Sequence, residues 1–116
     1  MSWNHTQQTQ IEVTSSALAR GPYNDPPVAV PVDDTAPVEI VTPTSTGQYF
    51  SISNSGPNNV YCRFNGAASS TVYSVVFPPG FNHNELRVAA NENVTVIAAT
   101  GETANLLVTV APEVQI

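Results

Sequence analysis

From Tyr49 onward the chain alternates apolar and polar residues in short runs, broken by turn-forming residues. Tyr49-Phe50-Ser51-Ile52-Ser53 places Phe50 and Ile52 on one face of an extended strand. Asn54-Ser55-Gly56-Pro57-Asn58-Asn59 reads as a turn. Val60-Tyr61-Cys62-Arg63-Phe64 repeats the pattern, with Val60, Cys62 and Phe64 on one side. Asn65-Gly66 follows, a dipeptide that accepts positive φ and favours tight hairpins. Further strands are expected over Thr71–Phe77, Glu85–Val88, Val94–Ala99 and Asn105–Val110. The expected core is Phe50, Ile52, Val60, Cys62, Phe64, Val75, Phe77, Leu86, Val88, Val94, Val96, Leu106, Val108 and Val110. The pattern predicts an all-β protein, a small antiparallel sandwich or barrel of jelly-roll type with about 6–8 strands.

The preceding residues have a different texture. Six of the ten prolines lie between Pro22 and Pro43. Proline fixes φ and removes a donor, which excludes helix and central strand. The reading is an extended arm over residues 1–43 and a sandwich body over 44–116. At about 3.1 Å per residue, the stretch 21–43 could reach on the order of 70 Å. Val28, Val30, Val32, Val38, Ile40 and Val41 are too apolar for a solvated tether. They are expected to dock in a groove of the body or of a neighbour, and Ile11 and Val13 belong to a further short strand. Ser15–Gly21 is expected to close a helical turn, with Gly21 as its stop.

Several strands carry apolar residues on their second face as well: Tyr61, Val72, Val76, Ile97 and Leu107. A body of this size cannot bury two apolar faces, so the arm or other subunits are expected to cover the surplus. Tyr23, Tyr61 and Tyr73 are the candidate interface aromatics. With nine acidic residues, three arginines and a net charge of −6, the chain lacks the clustered cations that nucleic acid or an anionic membrane requires. The first residues have neither a basic start nor an apolar run, so synthesis in a host cytoplasm without a signal peptide is expected.

Candidate chemistry is sparse. His83 and Glu85, two apart on a strand, with His5 from the arm, make an incomplete metal set. Asp33 and Asp34 are neighbours in an extended segment and point apart, which does not suit acid–base work on one substrate. Cys62, the one cysteine, faces inward with Val60 and Phe64 and has no base beside it. No enzyme and no cofactor is expected, and carbohydrate binding through exposed tyrosines is an alternative.

The stretch Ile52-Ser-Asn-Ser-Gly-Pro-Asn-Asn-Val60-Tyr-Cys-Arg-Phe64-Asn-Gly66 resembles small β-rich virion proteins of tailed bacteriophages. In that pattern a strand ends in Asn-x-Gly and the next reads Val-Tyr-x-Arg-Phe. Pro79-Gly80, Glu85-Leu86-Arg87-Val88 and Ala98-Ala99-Thr100-Gly101, before the last strand, are similar to the rest of it. The resemblance covers residues 48–110. It implies a capsid decoration (cement) protein, commonly a homotrimer, on the capsid exterior, which binds the major capsid protein and bridges neighbouring capsomers. A phage tail or head-fibre base component belongs to the same pattern.

Overall fold

A computed structural model describes residues 18–23 and 27–115, and among these all regular structure is β. Nine strands run in order: β1 Leu18–Arg20, β2 Val28–Val32, β3 Val38–Val41, β4 Gln48–Pro57, β5 Val60–Phe64, β6 Val75–Phe77, β7 Asn82–Val88, β8 Val94–Ile97 and β9 Ala104–Gln115. They form two antiparallel sheets. In sheet one β4 lies between β7 and β9, and the far side of β9 pairs with both β1 and β2. Sheet two runs β3-β8-β5-β6. The chain switches sheets at most connections, and β5–β6 is the one sequential pair joined by a ladder among the described strands.

The proline-rich stretch is therefore part of the sandwich. β2 runs antiparallel to β9 from Val28↔Val108 to Val32↔Ala104. β3 pairs with β8 through Val38↔Val96. Pro31 is tolerated because β2 is an edge strand, where a missing N–H breaks no second ladder. The turn that carries the chain from β2 to β3 is set by Asp33, whose carboxylate accepts from Thr35 N and Oγ1 at 2.9 and 2.6 Å. Those two bonds hold the Asp33 carboxyl below the usual carboxylate range. Asp34 Oδ2 accepts from Gly101 N at 2.7 Å and ties this turn to the β8–β9 loop.

Three features differ from the sequence reading. Leu18–Arg20 is a strand against β9, so the helical turn expected up to Gly21 is not formed there. Gly21 instead donates its N–H to Pro112 O at 2.7 Å. The strand expected from Thr71 begins only at Val75. Ser69 Oγ accepts from Val72 N, and Ser69 N donates to Val72 O, so residues 69–72 close a turn of their own. Asn65-Gly66 accordingly opens a long loop and not a tight hairpin, although Asn65 does take positive φ, at 61°.

The inner faces of the two sheets meet in a core of valines and phenylalanines. All fourteen residues expected in it are there: ten are buried, and Phe64, Val75, Leu86 and Val110 pack against them half-buried. Val32, Val41, Ala98 and Ala104 complete it. Val32 and Val41 are 2% and 1% exposed, so these two residues, expected to bind a partner, are consumed by the chain's own interior.

Buried polar groups are paired. Asn54, 1% exposed, donates Nδ2 to Asn58 O and Phe77 O at 3.0 and 2.8 Å, and its Oδ1 accepts from Gly56 N at 2.8 Å. One side chain thus satisfies three backbone groups where the chain leaves sheet one for sheet two. Thr95 Oγ1 donates to Gly66 O and accepts from Ala68 N, which pins the β5–β6 loop to β8.

If β3 is integral, Val41→Ala lowers the unfolding free energy by about 2 kcal/mol, the transfer and cavity cost of the lost methyls. Val28→Ala, at a position 52% exposed, changes it by less than about 0.5 kcal/mol. Chemical denaturation of the two variants checks this, and equal small effects would place Val41 outside the core.

Candidate interaction surfaces

The expected binding residues divide between core, margin and surface. Val30, Val38 and Ile40 pack half-buried against the core, and Val28 lies open at the margin of sheet one. Ile11 and Val13, with His5, lie outside the described residues.

Tyr61 and Tyr73 come together on the outer face of sheet two. Tyr61 lies between its cross-strand partners Val76 and Ile97. The Tyr73 ring meets it edge-on, with centroids 5.0 Å apart at 62°. Val72 and Tyr73 are 50% and 45% exposed, so this is an apolar patch in water. Other exposed apolar side chains are spread along β9: Leu18 and Val114 at its end, on opposite faces of the sheet, and Val28 opposite Val108.

Tyr23 is not part of the first patch. It lies on the outer face of sheet one, where Ser51 Oγ donates to its hydroxyl at 3.2 Å. The Arg20 guanidinium sits 4.1 Å above its ring and also bonds Glu85 Oε1 at 2.8 Å. Glu85 is thereby committed to an ion pair. The neighbouring His83 ring contacts Phe81, and its Nδ1 lies 3.0 Å from Asn84 O.

The other ion pair is bidentate. Arg87 Nε and Nη2 reach Glu113 Oε2 and Oε1, both at 2.9 Å, and Tyr49 Oη donates to Glu113 Oε2 at 3.3 Å. Gly47 lies beside the pair, and Glu113 N donates to Gly47 O at 2.9 Å. A Cβ on Gly47 would sit 2.7 Å from both Arg87 Nη2 and Glu113 Oε1, so only glycine leaves the fork undisturbed. Hydrogen bonding from Arg87 holds the Glu113 carboxyl below its ordinary value, and the carboxylate in turn raises Arg87. Cys62 is fully buried, and desolvation pushes its thiol up to about 12, so it stays protonated and inert at neutral pH.

A groove crosses the middle of sheet one's outer face, with a volume of about 230 Å³. Its lining includes Pro27, Ser51, Ser53, Asn82, Asn84, Leu107 and Thr109. The sequence reading passed over it, because hydroxyls on the polar side of an alternating strand look like ordinary solvent positions. The available signal was their smallness on two adjacent central strands. Compared with known families and curated proteins, the sequence matches no family model and no curated protein.

The Glu113 shift has a pH consequence. A carboxyl depressed by folding adds stability above its unfolded pKa, and that stability is lost as pH falls through the folded value. Wild type therefore melts at a higher temperature than Glu113→Gln at neutral pH, and the gap closes on acidification below the ordinary carboxylate range. Thermal melts across that window check it, and a gap independent of pH would contradict it.

Proposed function

We propose that this protein is a non-enzymatic structural component of a virion: a homotrimer that decorates the outside of a phage capsid, binds the major capsid protein and bridges neighbouring capsomers. The observation that carries this reading is the exposed Tyr61–Val72–Tyr73 patch on sheet two, with further exposed apolar side chains, Leu18, Val28 and Val114, spread along β9 in sheet one. A decoration protein needs two contacts, one with its own copies and one with the shell. The resemblance of residues 52–66 to phage virion proteins supports the same reading.

The two sets of side chains take different roles. The sheet-two patch is aromatic, which suits contact between copies. The margin of sheet one is where residues 1–17, with Ile11 and Val13, join the described chain at Leu18. The exposed side chains of that margin, with Ile11 and Val13 of the preceding sequence, are the proposed contacts for the capsid. The low charge and the commitment of Arg20 and Arg87 to Glu85 and Glu113 favour apolar attachment over charge steering.

The test uses the purified full chain and a truncation at residue 17. Removal up to residue 43 is unsuitable, because it deletes β1–β3 with Val32 and Val41. Sedimentation of the full chain gives a trimer mass, and Tyr73→Ser with Val72→Asp gives monomers. Residues 18–116 remain trimeric but no longer saturate capsids. A monomer at all concentrations, or undiminished capsid binding by the truncation, would overturn the proposal. Copy number in intact particles separates the capsid from a tail position: on the order of hundreds for a lattice, about a dozen or fewer for a unique vertex.

A further inference from the structure

We infer that the groove on the outer face of sheet one is a binding site for a neutral saccharide, independent of the apolar surfaces that carry the decoration reading. The register explains its shape. One cross-strand row runs Asn82, Ser53, Leu107, Ala29 over β7, β4, β9 and β2. The next contains the pair Ser51 and Thr109, with Asn84 and Pro27 completing the lining on either side. Ser51 and Ser53 on β4 and Thr109 on β9 make the floor, and Leu107, Asn82 and Asn84 make the walls. With strands roughly 4.8 Å apart, the four strands span about 14 Å, room for a sugar ring lying flat. The volume of about 230 Å³ is smaller than the roughly 300–1,000 Å³ of sites that enclose drug-sized ligands, which limits the occupant to one or two rings.

The chemistry of the lining selects the class. Among the described residues, the side chains of Ser53, Asn82, Asn84 and Thr109 have no hydrogen-bond partner in the protein, while Ser51 is already held by Tyr23 and the Glu85 amide. Each asparagine amide offers a donor and an acceptor side by side, the arrangement that engages a sugar hydroxyl in both directions. Leu107, 51% exposed, and Pro27 supply an apolar wall for the C–H face of a ring. No charged side chain lines the groove, and at its rim Arg20 and Glu85 neutralise each other, which disfavours an anionic or cationic ligand. An extended peptide is also disfavoured, because it would bind by main-chain pairing at a sheet edge. Here the floor strands β4 and β9 are paired on both sides.

The experiment is an NMR titration of the full-length protein with the methyl glycosides of glucose, galactose, mannose and N-acetylglucosamine, with glycerol as a polyol control. At least one glycoside produces saturable shifts at the amides of residues 51–53, 82–84 and 107–109, and glycerol does not. The N82A/N84A double variant, which removes exposed groups without protein partners, weakens that glycoside by about tenfold or more at unchanged melting temperature. Ser53→Val, a residue suited to strands, fills the floor and abolishes binding, whereas Tyr73→Ser leaves it intact. Absence of saturable shifts with all four glycosides, or shifts centred on Tyr61 and Tyr73, would overturn the inference.

Discussion

Strand β9 is the constraint on which the rest of the structure depends. Over Ala104–Pro112 one of its edges is paired with β4, and its other edge is shared end to end by β2 and β1. Its inward side chains Ala104, Leu106 and Val108 form one wall of the core. An unpaired β9 would expose a long row of backbone donors and acceptors beside apolar side chains, the arrangement that invites aggregation. The residues before Gln48 remove that hazard. They cover β9 with two short strands, cross to sheet two through the Asp33 turn, and cover β8 with β3.

This arrangement accounts for how so small a chain holds together without a disulfide. Its one cysteine is buried and unpaired. Strands from both ends of the sequence contribute to the same core, so Val32 and Val41 meet Leu106 and Val108 in one interior. The polar groups at the sheet crossings are satisfied by particular side chains, above all Asn54, whose removal would leave three backbone groups without a partner. Most strand pairs join residues far apart in sequence, so β8 and β9 must be in place before the earlier strands can close the sandwich.

Much of the fold was legible from alternation alone, because strands such as β4 and β5 keep an apolar face at every second residue, Phe50 and Ile52 in one and Val60, Cys62 and Phe64 in the other. Phe50, Ile52, Val60, Cys62 and Val96 went to the core for that reason. The earlier chain was harder to read. Proline density argued for an arm, yet proline is excluded only from central strands, and Pro31 sits at an edge. Val28–Val32 and Val38–Val41 pair with β9 and β8 as strands of the sandwich, where the sequence suggested an arm docked in a groove of the body or of a neighbour. The turn at Ser69 was also hidden, since Thr71–Ser74 has the composition of a strand and is bent by one hydroxyl. Of the candidate aromatics, Tyr61 and Tyr73 could be paired only once β5, β6 and their loop were placed. The groove on sheet one arises from register across four strands, which no local pattern reveals.

The proline-rich stretch is structural, and amide hydrogen exchange distinguishes it from a loose arm. Amides within Val28–Val32 and Val38–Val41 that bond to β9 and β8 are expected to be protected to within a few-fold of their partners, as members of one cooperative unit. Exchange of those amides at free-chain rates, while β4, β8 and β9 stay protected, would show a body that folds without them and would contradict the account.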